Sequence, residues 1–449
     1  MEQAASIFGI VILGLLVLLP MVRPQLAIVS WLMLFPLNQL LQSSFAWFMN
    51  NNLFANAVIG GSVVVAAARM IIFGGVRPGV LFNYAFFAIV GLLLYALASI
   101  VWSANQPLAL EFVGNRGPYT LLVLLILPLT IRDIEVLREA RWWILVFGSA
   151  IALCLYGAGT FRFYGNRMVV MLGGANRGNP LALAELGGIM FVLGVLSRDA
   201  PSRILPSLVR LFGALLGIGL IISSGSRGQL VAAVFASLIC FPFAAPLRNV
   251  RAAVATVVGL PLVILTIYAG LSIFVGDENW KRWSSASLVS GSEDRLSFLT
   301  RYFAVWAQSP TAWIFGFGTL SFEVVAGGLA GFVENLAAEI LFEEGVAAFF
   351  LFVSIWIVLF RRVRSSIASA PEDVAWRSMV MTATAIVIFF LIVACKSYCV
   401  WSAYPLWLWL CLTFRIVDSR SPNEEPGQLP TFEGEGLPPD LEVSPGVYR

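Results

Sequence analysis

The chain has 449 residues, 59% of them hydrophobic and only 12% charged, with a formal net charge of +3 and a mean hydropathy of +0.88. A soluble domain carries roughly 25% charged residues, so most of this chain must turn apolar surface to lipid. Histidine is absent, which excludes histidine general bases, histidine-ligated metals and Ser-His or Cys-His nucleophile pairs.

A spanning helix needs about 20 mostly apolar residues. Such runs are expected near 4–22, 25–44, 53–73, 80–102, 118–131, 142–160, 179–197, 205–223, 228–246, 252–275, 338–360, 378–395 and 397–414. The expected fold is an all-α polytopic integral membrane protein with about 12 or 13 transmembrane helices. The first run follows Met-Glu-Gln and ends at Arg23-Pro24. It lacks the basic start and small-residue cleavage site of a signal peptide and reads as an uncleaved anchor. Cys154, Cys240, Cys395, Cys399 and Cys411 sit in or beside apolar runs and read as packing residues. Cys395 and Cys399, one helical turn apart, are beyond disulfide reach.

Orientation follows from basic residues, which collect in cytoplasmic loops. Arg132, Arg138 and Arg141 form one cluster, and Arg198, Arg203 and Arg210 a second. Arg248 and Arg251 form a third, and Arg361, Arg362, Arg364 and Arg377 a fourth. The proposed spans put all four on one side, with Arg415 and Arg420. The membrane domain is expected over 1–415, with a long periplasmic loop at 276–337 on the other side. Within that loop 296–308 is amphipathic and reads as a surface helix ending at Ser309-Pro310. Ile314-Phe-Gly-Phe-Gly318 reads as a flexible turn. The Pro-, Gly- and Glu-rich segment 416–449 reads as a disordered cytoplasmic tail.

In Ala175-Asn-Arg-Gly-Asn-Pro180, Asn179 is placed to cap a helix and Pro180 to open it. A helix N-terminus offers unpaired N–H groups and a partial positive charge, which suits phosphate, and Arg177 stands beside it. Ser223-Ser-Gly-Ser-Arg-Gly228 repeats the design with Arg227. Such arginines can merely snorkel to headgroups, but two of them on the face where positive charge is disfavoured point to an anion site. Arg162, Arg167, Arg282, Arg295 and Arg301 add charge there. Arginine's planar fork donates two parallel bonds to a phosphate, so the expected ligand is a lipid diphosphate. Glu334-Asn335 closes the long loop, and Glu339, Glu343 and Glu344 follow. Acidic residues in a first turn suit the helix dipole, but four carboxylates at one boundary exceed that need. Glu185 lies inside its span, where a charge is costly unless it faces protein or water; pairing with a nearby arginine is one way to hold it. Asp277-Glu278 lacks a third ligand, so no metal or cofactor is expected.

These residues resemble the O-antigen ligase and polymerase family of bacterial envelopes. Ser226-Arg227-Gly228 is similar to the family's Ser-Arg-Gly segment. Arg295, Pro310 and Gly316-Phe-Gly318 resemble its long-loop pattern, and Glu343-Glu344-Gly345 its Glu-Leu-Gly. The similarity covers roughly residues 175–360. Ligases of the family place a histidine before an asparagine at the loop's end, where this chain has Glu334 before Asn335.

The resemblance implies a periplasm-facing glycosyltransferase of the bacterial inner membrane that polymerises undecaprenyl diphosphate-linked repeat units into O-antigen or exopolysaccharide. Arg227 and Arg295 would hold the diphosphate, with Arg177 and Arg301 as outer supports. Glu334 would act on the attacking hydroxyl, supported by Asn335, Glu339 and Glu185. The expected partners are lipid-linked donor and acceptor glycans, the bilayer and a chain-length regulator protein. The alternatives are a ligase onto a lipid acceptor and a secondary transporter or flippase for an anionic solute. No basic run with interleaved aromatics points to nucleic acid.

Overall fold

The computed structural model describes residues 2–131, 135–158, 161–164, 167–172, 177–197, 204–244, 299–325, 335–370 and 372–419, with positions 265, 269, 296 and 297. The principal helices are α1 Glu2–Val22, α2 Ala27–Ser44, α3 Leu53–Ile72, α4 Tyr84–Ser99, α5 Gln106–Leu121, α6 Glu135–Gly157, α7 Pro180–Leu196, α8 Ile204–Ser223, α9 Arg227–Ala244, α10 Leu336–Glu343, α11 Gly345–Ser369, α12 Val374–Ser397 and α13 Tyr404–Asp418. Among the described residues nine helices are long and apolar enough to cross a membrane, and α1 and α7 contribute shorter apolar stretches. The chain is a polytopic helical membrane protein.

Helices α7, α8, α9 and α12 pack closely at the centre of the bundle. Small residues make this possible, as lipid-embedded helices associate largely through close packing. A Cβ added at Gly187 would stand 2.4 Å from the Gly217 carbonyl oxygen, and one at Gly194 would stand 2.6 Å from that of Arg210. Gly188 admits the ring of Phe389, 2.3 Å from the same hypothetical atom.

The helices alternate in direction, so the bundle has two chemically different ends. At one end Arg23 pairs with Glu139, Arg362 pairs with Asp418, and Arg210 donates to the Ser197 carbonyl. Arg377 donates to the Phe243 carbonyl at 3.0 Å, and Arg415 to that of Pro128 at 3.0 Å. Arg210, Arg362, Arg377 and Arg415 belong to the expected basic groups, and α7, α9, α11 and α13 all end among them. The opposite end gathers the starts of α7, α9, α11 and α13.

Several boundaries differ from expectation. The fifth crossing starts at Gln106 rather than 118, and α5 continues through a π turn at Leu122–Ile126 and a 3₁₀ turn at Leu127–Thr130. Pro118 and Pro128 lie within this crossing and remove helical N–H donors. The crossing expected over 338–360 is broken: α10 stops at Glu343 and α11 restarts at Gly345, whose φ is +81°. The last crossing begins at Tyr404, after a turn at 398–403. An antiparallel hairpin pairs Phe161–Tyr164 with Arg167–Val170, the one departure from an all-helical fold among the described residues. Tyr164 pairs with Arg167 at the closed end of the ladder.

Residues 299–307 are helical, within the amphipathic segment expected at 296–308. The segment after them is not a loose turn. Phe317 and Gly318 donate backbone bonds to the carbonyls of Phe342 and Glu343, at 2.9 and 2.8 Å. Gly316 and Gly318 have φ of +72° and +87°, and a Cβ at Gly316 would fall 2.0 Å from the Glu343 carbonyl oxygen. Tyr302 anchors the same junction, its ring edge-on to Phe322 and Phe342 at 4.8 and 4.6 Å. The expected span near 252–275 apart from positions 265 and 269, the loop from 276 to 295, residues 326–334 and the tail from 420 lie outside the described residues.

Candidate functional site

At the end away from the basic clusters the bundle opens into a polar cavity of about 410 Å³. Ligand sites commonly have this order of size. Helix α2 contributes Phe35, Asn38, Gln39 and Gln42, and α5 contributes Phe112 and Arg116. The segment before α7 brings Arg177, Gly178 and Asn179, and α7 itself brings Glu185. Ser397, Tyr398, Ser402 and Tyr404 close the cavity from α12 and α13.

Local sequence explains how these groups are held. Asn179 caps α7, accepting from the Leu181 N–H at 2.9 Å, and Pro180 is the first helical residue. Gly178 donates its N–H to Val170 of the hairpin at 2.8 Å. Gln39 donates to the Asn179 carbonyl at 2.9 Å, tying α2 to the start of α7. Gly178 is required for that approach, since a Cβ there would stand 2.5 Å from Gln39 Oε1. The turn after α12 is pinned by side chains from several helices. Glu339 accepts from the Val400 N–H at 3.0 Å, Thr120 donates to the Trp401 carbonyl at 2.9 Å, and Trp407 donates to the Val400 carbonyl at 2.9 Å.

Glu185 faces this space half-buried, and Tyr398 lines the same cavity. Arg116 stands 5.9 Å from the centre of the Phe112 ring, a cation–π distance. Two guanidinium groups and one carboxylate thus share a water-accessible chamber at the end of a bundle otherwise built for lipid. Such an arrangement can bind an anion and orient a hydroxyl beside it.

Of the residues singled out from sequence, Arg177 and Glu185 meet in this cavity. Arg227 is the first residue of α9, in the next corner. There the Lys396 side chain crosses Gly228, 2.5 Å from a hypothetical Cβ, and donates to Gln229 Oε1 at 3.3 Å. Lys396 directly precedes Ser397 and Tyr398 of the cavity wall. Ser226 is buried there, and its hydroxyl has no hydrogen-bond partner. Arg301 is exposed on the helix at 299–307 and does not line the cavity. Asn335 caps α10, accepting from the Ala338 N–H at 3.1 Å. Arg295 and Glu334 lie outside the described residues.

The remaining carboxylates have structural partners. Glu343 accepts from the Leu320 N–H at 2.7 Å through one carboxylate oxygen. Glu344 accepts from the Thr319 hydroxyl at 2.8 Å. Among the described residues no group of three or more acidic or cysteine side chains is arranged to hold a metal ion. The sequence reading missed Arg116, Tyr398, Tyr404 and the carboxamides of α2. The available signal was polarity inside apolar runs, because Asn38, Gln39 and Gln42 are costly in a spanning helix unless they face protein or water. Against known proteins, the chain matches no protein-family model, and no curated protein sequence is significantly similar to it.

Proposed function

We propose that this chain is a membrane glycosyltransferase that polymerises lipid diphosphate-linked oligosaccharides at the cavity end of the bundle. The observation that carries the proposal is the meeting of Arg116, Arg177 and Glu185 in one polar cavity beside the start of α7. The basic residues at the opposite end support a cytoplasmic assignment for that end. The cavity, with the loop at 276–337, would then open outside the inner membrane. The similarity of Ser226-Arg227-Gly228, Gly316-Phe-Gly318 and Glu343-Glu344-Gly345 to the O-antigen ligase and polymerase pattern supports the same reading.

In the proposed reaction the acceptor sugar hydroxyl attacks the anomeric carbon of the donor. A new C–O bond forms, the bond from that carbon to the diphosphate oxygen breaks, and the diphosphate keeps the electron pair. Arg177 and Arg116 neutralise the charge that develops on it, with Arg227 and Arg295 as further donors. Fixed charge aimed at developing charge is usually the largest catalytic contribution. Glu334 takes the hydroxyl proton, and Glu185, beside Tyr398 in the cavity lining, orients the sugar.

Purified protein in detergent, given the lipid-linked glycan extracted from cells lacking this chain, tests the proposal. A ladder of longer lipid-linked products is expected without any ion gradient. A protein that moves substrate across liposomes only under a gradient, and never lengthens it, is a transporter and defeats the proposal.

A further inference from the structure

Beside the arginines, the part of the cavity lining that α2 supplies is chemically different. Asn38, Gln39 and Gln42 present three carboxamides from one stretch of α2, above the rings of Phe35 and Tyr404. Carboxamides in a lipid-spanning helix cost free energy, and a helix ridding itself of them would lose no packing that leucine could not supply. Here they are organised. Gln42 donates to Asn38 Oδ1 at 3.2 Å, and Asn38 reaches Asn56 Oδ1 at 3.5 Å. Asn56 in turn donates to the Tyr119 hydroxyl at 3.0 Å. The network fixes the Asn38 amide in place, while Gln42 is only half-buried at the cavity wall. Below them the rings of Phe35, Tyr119 and Tyr404 lie within 6.0–6.4 Å of one another, Tyr119 and Tyr404 stacked.

Planar amides that both donate and accept match the paired hydroxyls of a pyranose. Aromatic faces match its C–H surface. The amide N–H groups also suit a phosphate, but the amide oxygens and the ring faces match only the sugar.

We infer that the α2 wall of the cavity, Asn38, Gln39 and Gln42 over Phe35 and Tyr404, is a saccharide subsite that seats the sugar next to the diphosphate. The inference rests on the function proposed above and adds to it the residues that select the glycan. Sugar and diphosphate then share one cavity, with Glu185 and Tyr398 in its lining. A subsite built to hydrogen-bond hydroxyls discriminates strongly against a ligand that lacks them, because its own polar groups are left unpaired.

The test uses the full chain in lipid nanodiscs and two probes, undecaprenyl diphosphate without sugar and the lipid-linked glycan extracted from cells lacking this chain. Wild type is expected to bind the glycan lipid at least about tenfold more tightly than the bare lipid. Gln42→Leu and Asn38→Leu are expected to abolish that preference and to leave affinity for the bare lipid unchanged. Asn38 belongs to the Asn56–Tyr119 network, so Gln42→Leu decides if the Asn38 variant is not monodisperse on size exclusion. A wild type without preference, or a Gln42→Leu variant that keeps it or weakens on both lipids alike, overturns the subsite while the diphosphate site stands. A wild type that binds neither lipid overturns both.

Discussion

Two regions at the same end of the bundle carry unusual residues, and they use them in opposite ways. The cavity bounded by α2, α5, α7 and α13 keeps Arg116, Arg177, Glu185 and its carboxamides around open space. The junction of 314–321 with α10 and α11 instead buries Glu343 and Glu344, one oxygen of each held by a backbone or hydroxyl donor. Its glycines, Gly316, Gly318 and Gly345, all have positive φ and backbone neighbours too near for any side chain. Gly-x-Gly and Glu-Glu-Gly are therefore two halves of one lock. A motif that looks chemical in sequence can be architectural, and the chemistry can sit beside it in residues that form no motif.

The comparison breaks most visibly at the glycines. Gly345→Ala places a methyl about where the Ile314 carbonyl oxygen is, 2.3 Å from the Cβ position, at φ +81°. Near-complete loss of the protein from the membrane fraction is expected on immunoblots. Gly178→Ala meets chiefly the Gln39 side chain, with the Val170 carbonyl oxygen 3.2 Å from the Cβ position, so that protein should accumulate normally and fail in polymer synthesis instead. Equal abundance of the two variants would erase the distinction between lock and cavity.

The next effect is on activity alone. Arg177→Ala should lower polymer formation by about 10²-fold, the scale of removing one preorganised donor to a developing charge, at unchanged abundance. Arg177→Lys should remain impaired, since a point charge cannot reproduce the planar fork. A normal product ladder from the lysine variant would reduce Arg177 to an interfacial anchor.

Glu339 connects the two regions through its bond to the Val400 N–H. Glu339→Leu strands that donor, at a cost of about 1–3 kcal/mol, and should lower the thermal midpoint in detergent together with turnover. Glu339→Gln keeps an acceptor and should recover most of both. Smallest is Arg301→Ala. Its side chain is exposed and away from the cavity, so stability should change by no more than about 0.5 kcal/mol and product length hardly at all. A silent polymerase from this variant would mean that the catalytic surface extends onto the helix at 299–307.

Much of this was legible in the sequence. Apolar runs reveal crossings because length and hydropathy are local properties. The cap at Asn179-Pro180 is local too, and it stands where the residue types put it. The break at Gly345 was not legible, because the carboxylates before it suit a helix's first turn and only the pairing with Gly316 and Gly318 gives the glycine its purpose. The hairpin went unread although Gly165-Asn166 carried a signal, overshadowed by the surrounding helices. Arg116 was missed because a crossing drawn from 118 leaves it in a loop. The cavity joins residues from 35 to 404, and no spacing in the chain announces which of them meet.

The most direct measurement is an electron cryo-microscopy map of the protein in nanodiscs with undecaprenyl diphosphate bound. Phosphate density is predicted between Arg116 and Arg177, with guanidinium–oxygen distances of about 2.7–2.9 Å, and the polyprenyl chain leaving toward lipid. A diphosphate resolved against the junction of 314–321 with α10, or at the end that holds Arg362 and Arg415, would contradict the account.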